Sequence, residues 1–501
     1  MTTRLSNSDS YHQGSIVIAP AAHPDERRVT WWLFAAVLCV LLLIHNGGLS
    51  GLDGETAYQA AKSVIDHQRL DVGSGFNTTT GVGDLEYAKS NVGLPLLAGI
   101  MYSLSAPVAW IVPAHADLIR TGLVGASMTV ITAAIVVVVY WLARRLAAPP
   151  PAALIVGIGA VAGTYLLPYS KEFFAEPLSA LGIVIAIEQA LAGRPVAAGA
   201  GLAIAILARA QSLLLIPVML WVVLRRCGLR GGIRASAPVA LSVLFTAAYN
   251  VARFGHPLEF GYADEGFTMP FSAGAHMLLL EPSKSLLVFA PVIVLFPRAC
   301  LRLWHINRQA LLLVASTFVI TFGVAAVWHN PNGGWCWGPR LLLPGVIPAV
   351  AALGPWLDGP LRRQLAIGLL TLGFLVSAPA VAVSTQVQQM DVPPPVGGIW
   401  PPDLGLPRID RQAELVPATA AYTLTHLFDR KDDGRNYLRY LTFWQLALAR
   451  VFGPRGLLIA LGASLVLLGL ALWCTTRCRS AYVKVLTSRS TLHNVRDGAC
   501  D

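Results

Sequence analysis

An acidic pair split by one glycine, Asp53-Gly54-Glu55, follows the first long apolar run of the chain, and the stretch Thr56 to Leu70 behind it reads as a helix with Tyr58, Ala61 and Ile65 on one face. A carboxylate presented there can take a proton from a hydroxyl, which is general-base chemistry. The other use of Asp53 is to cap the helix, with Glu55 enriching its first turn. Lys89, just ahead of the apolar stretch Val92 to Val112, offers an ammonium to a lipid phosphate or anchors the chain at an interface. The turn Tyr169 to Phe174 carries Lys171, and Glu176 opens the next apolar run, where an ionised group is costly unless a cation or polar cavity meets it. Lys171 and Arg209 are its candidate partners. Arg209 itself interrupts Leu202 to Leu215, so it is either an ion-pair member, a snorkelling side chain or a ligand for an anion.

The densest segment is His329-Asn330-Pro331-Asn332-Gly333-Gly334-Trp335-Cys336-Trp337-Gly338-Pro339-Arg340. Flexible glycines, two indole faces and a terminal guanidinium suit a loop that stacks on a sugar ring and clamps an anion. Trp335 and Trp337 are equally at home at a membrane interface. With Arg120, Arg253 and Lys284, Arg340 forms a set of cations at predicted outer span ends, together an electropositive cradle for a phosphate. Asn77-Thr78-Thr79 matches an N-glycosylation acceptor.

The chain that must position these groups has 501 residues, 55% hydrophobic and 13% charged. An ordinary soluble enzyme would be near ~25% charged, so this is a polytopic membrane protein. The formal charge of +10 is scattered between apolar runs without a basic cluster, which argues against nucleic acid. Reading ~20 residues per crossing, fewer where a helix is broken, gives an all-α protein of about twelve transmembrane helices, from Trp31 to His45 through Leu457 to Trp473. Arginine retained on the cytoplasmic side fixes the register, with both termini inside the plasma (inner) membrane. Two conditions follow. Val92 to Val112 must be a re-entrant or interfacial segment, interrupted by Pro95, Pro107 and Pro113. Val196 to Leu224 must be two half-spans meeting near Arg209, a single long helix being the competing reading.

The predicted organisation is a cytoplasmic tail over 1–30, a transmembrane core over 31–385 with its first outer loop at 46–118, and an extracytoplasmic loop with an interfacial helix over 386–455. A last span at 456–475 and a second cytoplasmic tail at 476–501 complete it. Of seven cysteines only Cys336 faces out, so an outer disulfide is not expected.

Several of these features together resemble the GT-C glycosyltransferase superfamily, nearest to its bacterial protein-mannosyltransferase and aminoarabinose-transferase type. They are the long acidic first outer loop, Lys89-x-x-x-Gly93-x-Pro95, the turn Tyr169 to Pro177, the stretch Asn250 to Tyr262, Ser283-Lys284-Ser285-Leu286 to Pro291, and Gly333 to Arg340. The resemblance covers most of Trp31 to Trp356. It implies a GT-C-like fold that passes a sugar, with inversion, from a polyprenyl-phosphate donor to an extracytoplasmic glycan, lipid or protein acceptor, at an active site facing outward. By the same resemblance Asp53 matches the catalytic acid and acts as base, with Glu55 sharing the role. Lys89, Lys171, Glu176, Arg209, Tyr262, Lys284, His329, Trp335, Trp337 and Arg340 are then the substrate-binding candidates. The family has members that use a metal and members that do not, so a divalent cation is a candidate cofactor, and no Asp-x-Asp motif marks a place for one. A secondary transporter and a non-catalytic lipid-carrier-binding protein of envelope assembly remain as other readings.

Overall fold

The computed structural model describes residues 24–75, 77–262, 265–385, 388, 409–427, 441 and 443–497. The expected cytoplasmic tail up to residue 23, the proline-rich stretch Val392 to Pro402 and part of the amphipathic stretch Tyr437 to Phe452 lie outside the described residues. Among the described residues, six helices are long and apolar enough to cross a membrane, and four further apolar helices run 10–17 residues. The sequence-based figure of about twelve is larger because it admits such shorter pieces as crossings.

Helix α1 (Pro24–Leu43) and α2 (Leu52–His67) are followed by a hairpin of β1 (Thr78–Thr80) and β2 (Glu86–Ala88). The hairpin is a small addition to a mostly helical chain: the two three-residue strands pair antiparallel, with Thr78 opposite Ala88. Then come α3 (Gly93–Ile111), α4 (Ala116–Arg145), α5 (Pro150–Ala162), α6 (Leu166–Tyr169), α7 (Ala175–Leu191) and α8 (Pro195–Ala208). The chain continues through α9 (Ile216–Phe254), α10 (Phe271–Leu280), α11 (Leu286–Phe289), α12 (Phe296–Ile306), α13 (Arg308–Val327), α14 (Leu343–Ala352) and α15 (Pro360–Ala382). Two later helices, Ile409–His426 and Trp444–Asp497, close the described chain.

Ion pairs and helix direction define two ends of the bundle. At one end Glu26, at the start of α1, meets Arg144 at 2.9 Å, and Glu188 near the end of α7 meets Arg145 at 3.0 Å. Arg226 and Gln309 join there at 2.6 Å. At the other end His45 and Gly48 lie against Gly125 of α4, and the loops before α2, α7, α10 and α14 collect. The C-terminal helix runs back along α1, with Trp473 edge-on to Trp32 at 4.9 Å and Cys478 donating to the Val29 carbonyl at 3.6 Å. It is bent at Gly453, whose φ of 64° belongs to the left-handed region, so Trp444 to Phe452 turns away from the rod that follows.

Helix α3 is long enough to span, yet both its ends belong to the same end of the bundle. Gly93 abuts the backbone of Leu207 at the close of α8, while Ile111 hands the chain to the start of α4. Midway, Tyr102 donates to Asp66 of α2 and accepts from Arg120 of α4, both at 2.7 Å. The expected breaks at Pro95 and Pro107 are absent and the helix is continuous. Pro95 is its third residue, where the missing N–H has no partner in any helix. Pro113 opens a short 3-10 turn instead.

The Val196 to Leu224 segment is broken where Arg209 stands. Helix α8 ends at Ala208, Arg209 is extended (φ −144°, ψ 115°), and a 3-10 stretch Ala210–Leu215 leads into α9. Helix α9 reverses again at Gly228 (φ 66°). Helices α7 and α8 pack through glycines, so closely that a Cβ on Gly182 would lie 2.6 Å from the Gly201 carbonyl and the Ala205 amide. Such small-residue seams are how helices associate in lipid, where hydrophobic burial between them gains little. Gly182→Leu should therefore separate α7 from α8 and lower the thermal unfolding midpoint of the detergent-solubilised protein. Gly368→Leu, at a position with nothing within 4 Å, should leave that midpoint unchanged.

Candidate active site

Helix α2 begins one residue before Asp53, and Gly51 at its cap makes no side-chain capping bond. Asp53 is therefore free of the capping role. Its Oδ2 accepts from Arg340 Nη1 at 2.5 Å and its Oδ1 from Asn77 Nδ2 at 3.1 Å. Gly54 lets α2 approach this closely, because a Cβ there would sit 2.6 Å from the Phe173 carbonyl. From Arg340 the charges continue inward: Arg340 Nε lies 3.6 Å from Glu176 Oε1, and the same oxygen is gripped by Arg209. Four ionised groups from α2, α7, the α8 break and the turn before α14 thus alternate in sign. Asp53 is the most open, with 28% of its side chain exposed, and Glu176 the least, at 1%.

This row leaves three buried charged-group atoms without a hydrogen-bond partner, Arg340 Nε, Arg209 Nε and Glu176 Oε2. Two N–H donors in one partly enclosed place suit an added anion. Tyr262 borders the row, its hydroxyl donating to the Lys89 carbonyl at 2.8 Å and its ring edge-on to Trp328 at 5.6 Å. Burial pushes the Tyr262 phenol up, with Arg209 opposing and Asp53 adding to the rise. Lys89 is tied to Glu265 at 3.0 Å, and His329 approaches the same carboxylate at 3.6 Å. Among the described residues no three His, Cys, Asp or Glu side chains converge as metal ligands.

Several expected ligands have other work in this structure. Glu55 points to the exposed face of α2, where Gln59 donates to it at 2.8 Å, away from the row that holds Asp53. Lys284 is fully buried and donates to the carbonyls of Cys336 at 2.6 Å, Gly334 at 3.0 Å and Gly338 at 3.4 Å. It folds the tryptophan loop around its ammonium. Trp337 is also fully buried, edge-on to Phe289 at 5.3 Å, while its carbonyl accepts from the Tyr169 hydroxyl at 2.9 Å. It has no face for a sugar. Trp335 is half-buried and remains at the surface of the loop. Gly333 (φ 74°) and Gly338 (φ 65°) make the turns that bring Arg340 inward, and a Cβ on Gly333 would strike the Arg340 side chain at 2.8 Å. Arg253 and Arg120 likewise serve backbone and tyrosine partners.

Lys171 is buried and donates to the Val381 carbonyl, so it binds no substrate in this arrangement. Glu172 is buried next to it. Burial pushes the Glu172 carboxyl up to about 7, with Lys171 and then Arg340 pulling the other way, and burial pushes the Lys171 ammonium down. Asn77, which the sequence marks only as part of a glycosylation acceptor, belongs to this site as well, its amide reaching Asp53 across 24 residues.

No family model matches the chain, and no curated protein does. The chain is similar to solved structures of ArnT from Cupriavidus metallidurans. With undecaprenyl phosphate bound, that structure shares 14% identity over 90% of this chain and 76% of that one, at a TM-score of 0.48. In the apo state the values are 15%, 89%, 75% and 0.49. The Archaeoglobus fulgidus oligosaccharyltransferase in complex with Zn and sulfate, of the same superfamily, shares 12% identity over 91% of this chain, which spans 53% of that protein, at a TM-score of 0.30.

The Glu172 shift carries a pH signature. A carboxyl whose folded pKa is raised binds its proton more tightly in the folded state, so the stability it contributes at low pH is lost as pH rises from about 4.5 to about 7. Glu172→Gln should abolish that fall, leaving a midpoint at pH 8 above that of the wild type. Thermal unfolding of both proteins across this range, by tryptophan fluorescence in detergent, measures the difference.

Proposed function

We propose that the chain is an integral membrane glycosyltransferase of the GT-C type, moving a sugar from a polyprenyl-phosphate donor to an extracytoplasmic acceptor with inversion. The observation that carries this reading is the row Asp53–Arg340–Glu176–Arg209, in which an accessible carboxylate stands beside two guanidinium groups with unused donors. Transfer from a phosphodiester-linked sugar needs those two elements. A base takes the proton of the acceptor hydroxyl as its oxygen attacks the anomeric carbon. Fixed cations meet the charge that grows on the phosphate as the glycosyl–oxygen bond breaks. A single displacement inverts the anomeric centre.

In this scheme the donor phosphate draws Arg340 off Asp53 and onto itself, which frees Oδ2 to act as the base. Arg209 stays between Glu176 and the phosphate. Tyr262, Lys89, Glu265 and His329 form the rim on which the sugar or acceptor rests, with Trp335 beside it. The arginine-rich end that holds Arg144, Arg145 and Arg226 faces the cytoplasm by the charge bias of membrane proteins, which turns the row outward and gives about twelve crossings with both termini inside.

The test is transfer of label from decaprenyl-phosphoryl [14C]mannose and its arabinose counterpart, in membranes carrying the full chain. Asp53→Asn should lower the rate by about 10²- to 10⁴-fold, the usual worth of a positioned base. Arg340→Gln should lower it by about 10²- to 10³-fold as an anion-stabilising donor is lost. Normal transfer by Asp53→Asn would overturn the assignment of the base. Uptake of free sugar without any lipid carrier would instead favour a transporter.

A further inference from the structure

Asp53 is held from two sides by donors of different kinds. Arg340 is charged, belongs to the turn before α14 and binds Oδ2; Asn77 is neutral, belongs to the first outer loop and binds Oδ1. A phosphate competes for a guanidinium. It has far less claim on a carboxamide that is fixed in place by its own backbone.

That fixing is built through the hairpin. The Asn77 carbonyl accepts from the Lys89 amide at 3.0 Å, directly beyond the Thr78–Ala88 pair, so β1 and β2 close on it like the last rung of a ladder. Strand β2 is pinned in turn by Arg253, which is 1% exposed and donates to the Ala88 carbonyl at 2.6 Å and the Ser90 carbonyl at 3.3 Å. Its guanidinium is sandwiched by Tyr249 at 3.8 Å and Phe254 at 4.5 Å. Tyr262 holds the Lys89 carbonyl. A buried guanidinium with its donors met by backbone and by the Asn250 side chain is rigid, since moving it would strand charge away from water. The whole arrangement ends on a single amide hydrogen directed at Oδ1.

We infer that Asn77 is a positioning residue for the base: it orients the Asp53 carboxylate so that Oδ2 is the atom that receives the acceptor proton, and it stays on Oδ1 after Arg340 has moved to the phosphate. The inference rests on the reading of Asp53 as the base. Atom by atom, the acceptor hydroxyl proton passes to Oδ2, the Asn77 N–H···Oδ1 bond is kept, and the glycosyl–phosphate bond breaks on the far side of the anomeric carbon.

The experiment has one arm that needs no sugar substrate. Full-length protein in detergent is treated with a water-soluble carbodiimide and glycine ethyl ester across a pH series, and labelling of the Asp53 peptide is quantified by mass spectrometry, since only the protonated carboxyl reacts. Asn77→Asp, nearly isosteric, sets a second carboxylate against Asp53 and should raise the labelling midpoint by about one unit or more. Asn77→Ala should raise it by less, and Thr80→Ala, on the exposed hairpin edge, should not move it. The second arm is the transfer assay with the same labelled decaprenyl-phosphoryl sugars. Asn77→Ala should lower kcat by about ten- to a hundredfold through misorientation, with KM for the donor little changed and the acid limb of the pH profile displaced upward. Labelling midpoints and acid limbs equal to the wild type in both Asn77 variants would overturn the inference. Normal transfer by Asp53→Asn would remove the base reading instead, while the labelling arm still decides whether Asn77 governs the Asp53 proton.

Discussion

An ionised side chain removed from water must find its opposite, and most of the site follows from that one requirement. Glu176 is almost fully enclosed at the start of α7, and it is tolerable there because Arg209 and Arg340 converge on one of its oxygens. Satisfying it forces the break after Ala208, which lets Arg209 leave the helical path, and forces the glycine turns that carry Arg340 inward. The row ends at Asp53, its most exposed member. Elements far apart in the chain are thereby joined: 287 residues separate the partners of the Asp53–Arg340 bond.

The remaining buried cations at this end are spent on backbone. Lys284 gathers the carbonyls of residues 334, 336 and 338, and Arg253 those of residues 88 and 90. Each holds a segment that lies outside the helices, supplying donors to its backbone carbonyl groups. Burial pushes the Lys284 ammonium down, and its contact with Cys336 pulls it back. Arg209 and Arg340, which face carboxylates, keep their Nε donors in reserve.

This division governs what was legible in the sequence. Charge type and apolar runs could be read directly, and the break at Arg209 followed from the arginine register, because one long helix over Val196 to Leu224 would put the arginines from Arg225 onward on the wrong side. That Asp53, Glu176, Arg209 and Arg340 share one end was also readable from the register of the runs. The lone residue could not say whether its charge would meet a ligand or a carbonyl. Lys284 and Trp337 have the composition of a binding loop, yet both are buried in its interior, and burial depends on neighbours such as Phe289 and Tyr169 that lie far off in sequence. Glu55 differs from Asp53 by two residues, a rotation of about 200° on a helix, which sends one carboxylate to the row and the other to Gln59. Asn77 was hidden for a similar reason: only the hairpin register places its amide at Asp53.

The cage around Lys284 has a bearing on how the molecule is put together. Its ammonium and its carbonyl partners lie on opposite sides of the α12–α13 helical hairpin in the chain, so the tryptophan loop can adopt its shape only after that pair has been inserted and has brought residue 284 back beside residue 336. Arg340 issues from the same loop. The guanidinium that meets Asp53 is thus delivered late in biogenesis, and a nascent chain halted at the end of α13 would possess the carboxylate without its counter-ion.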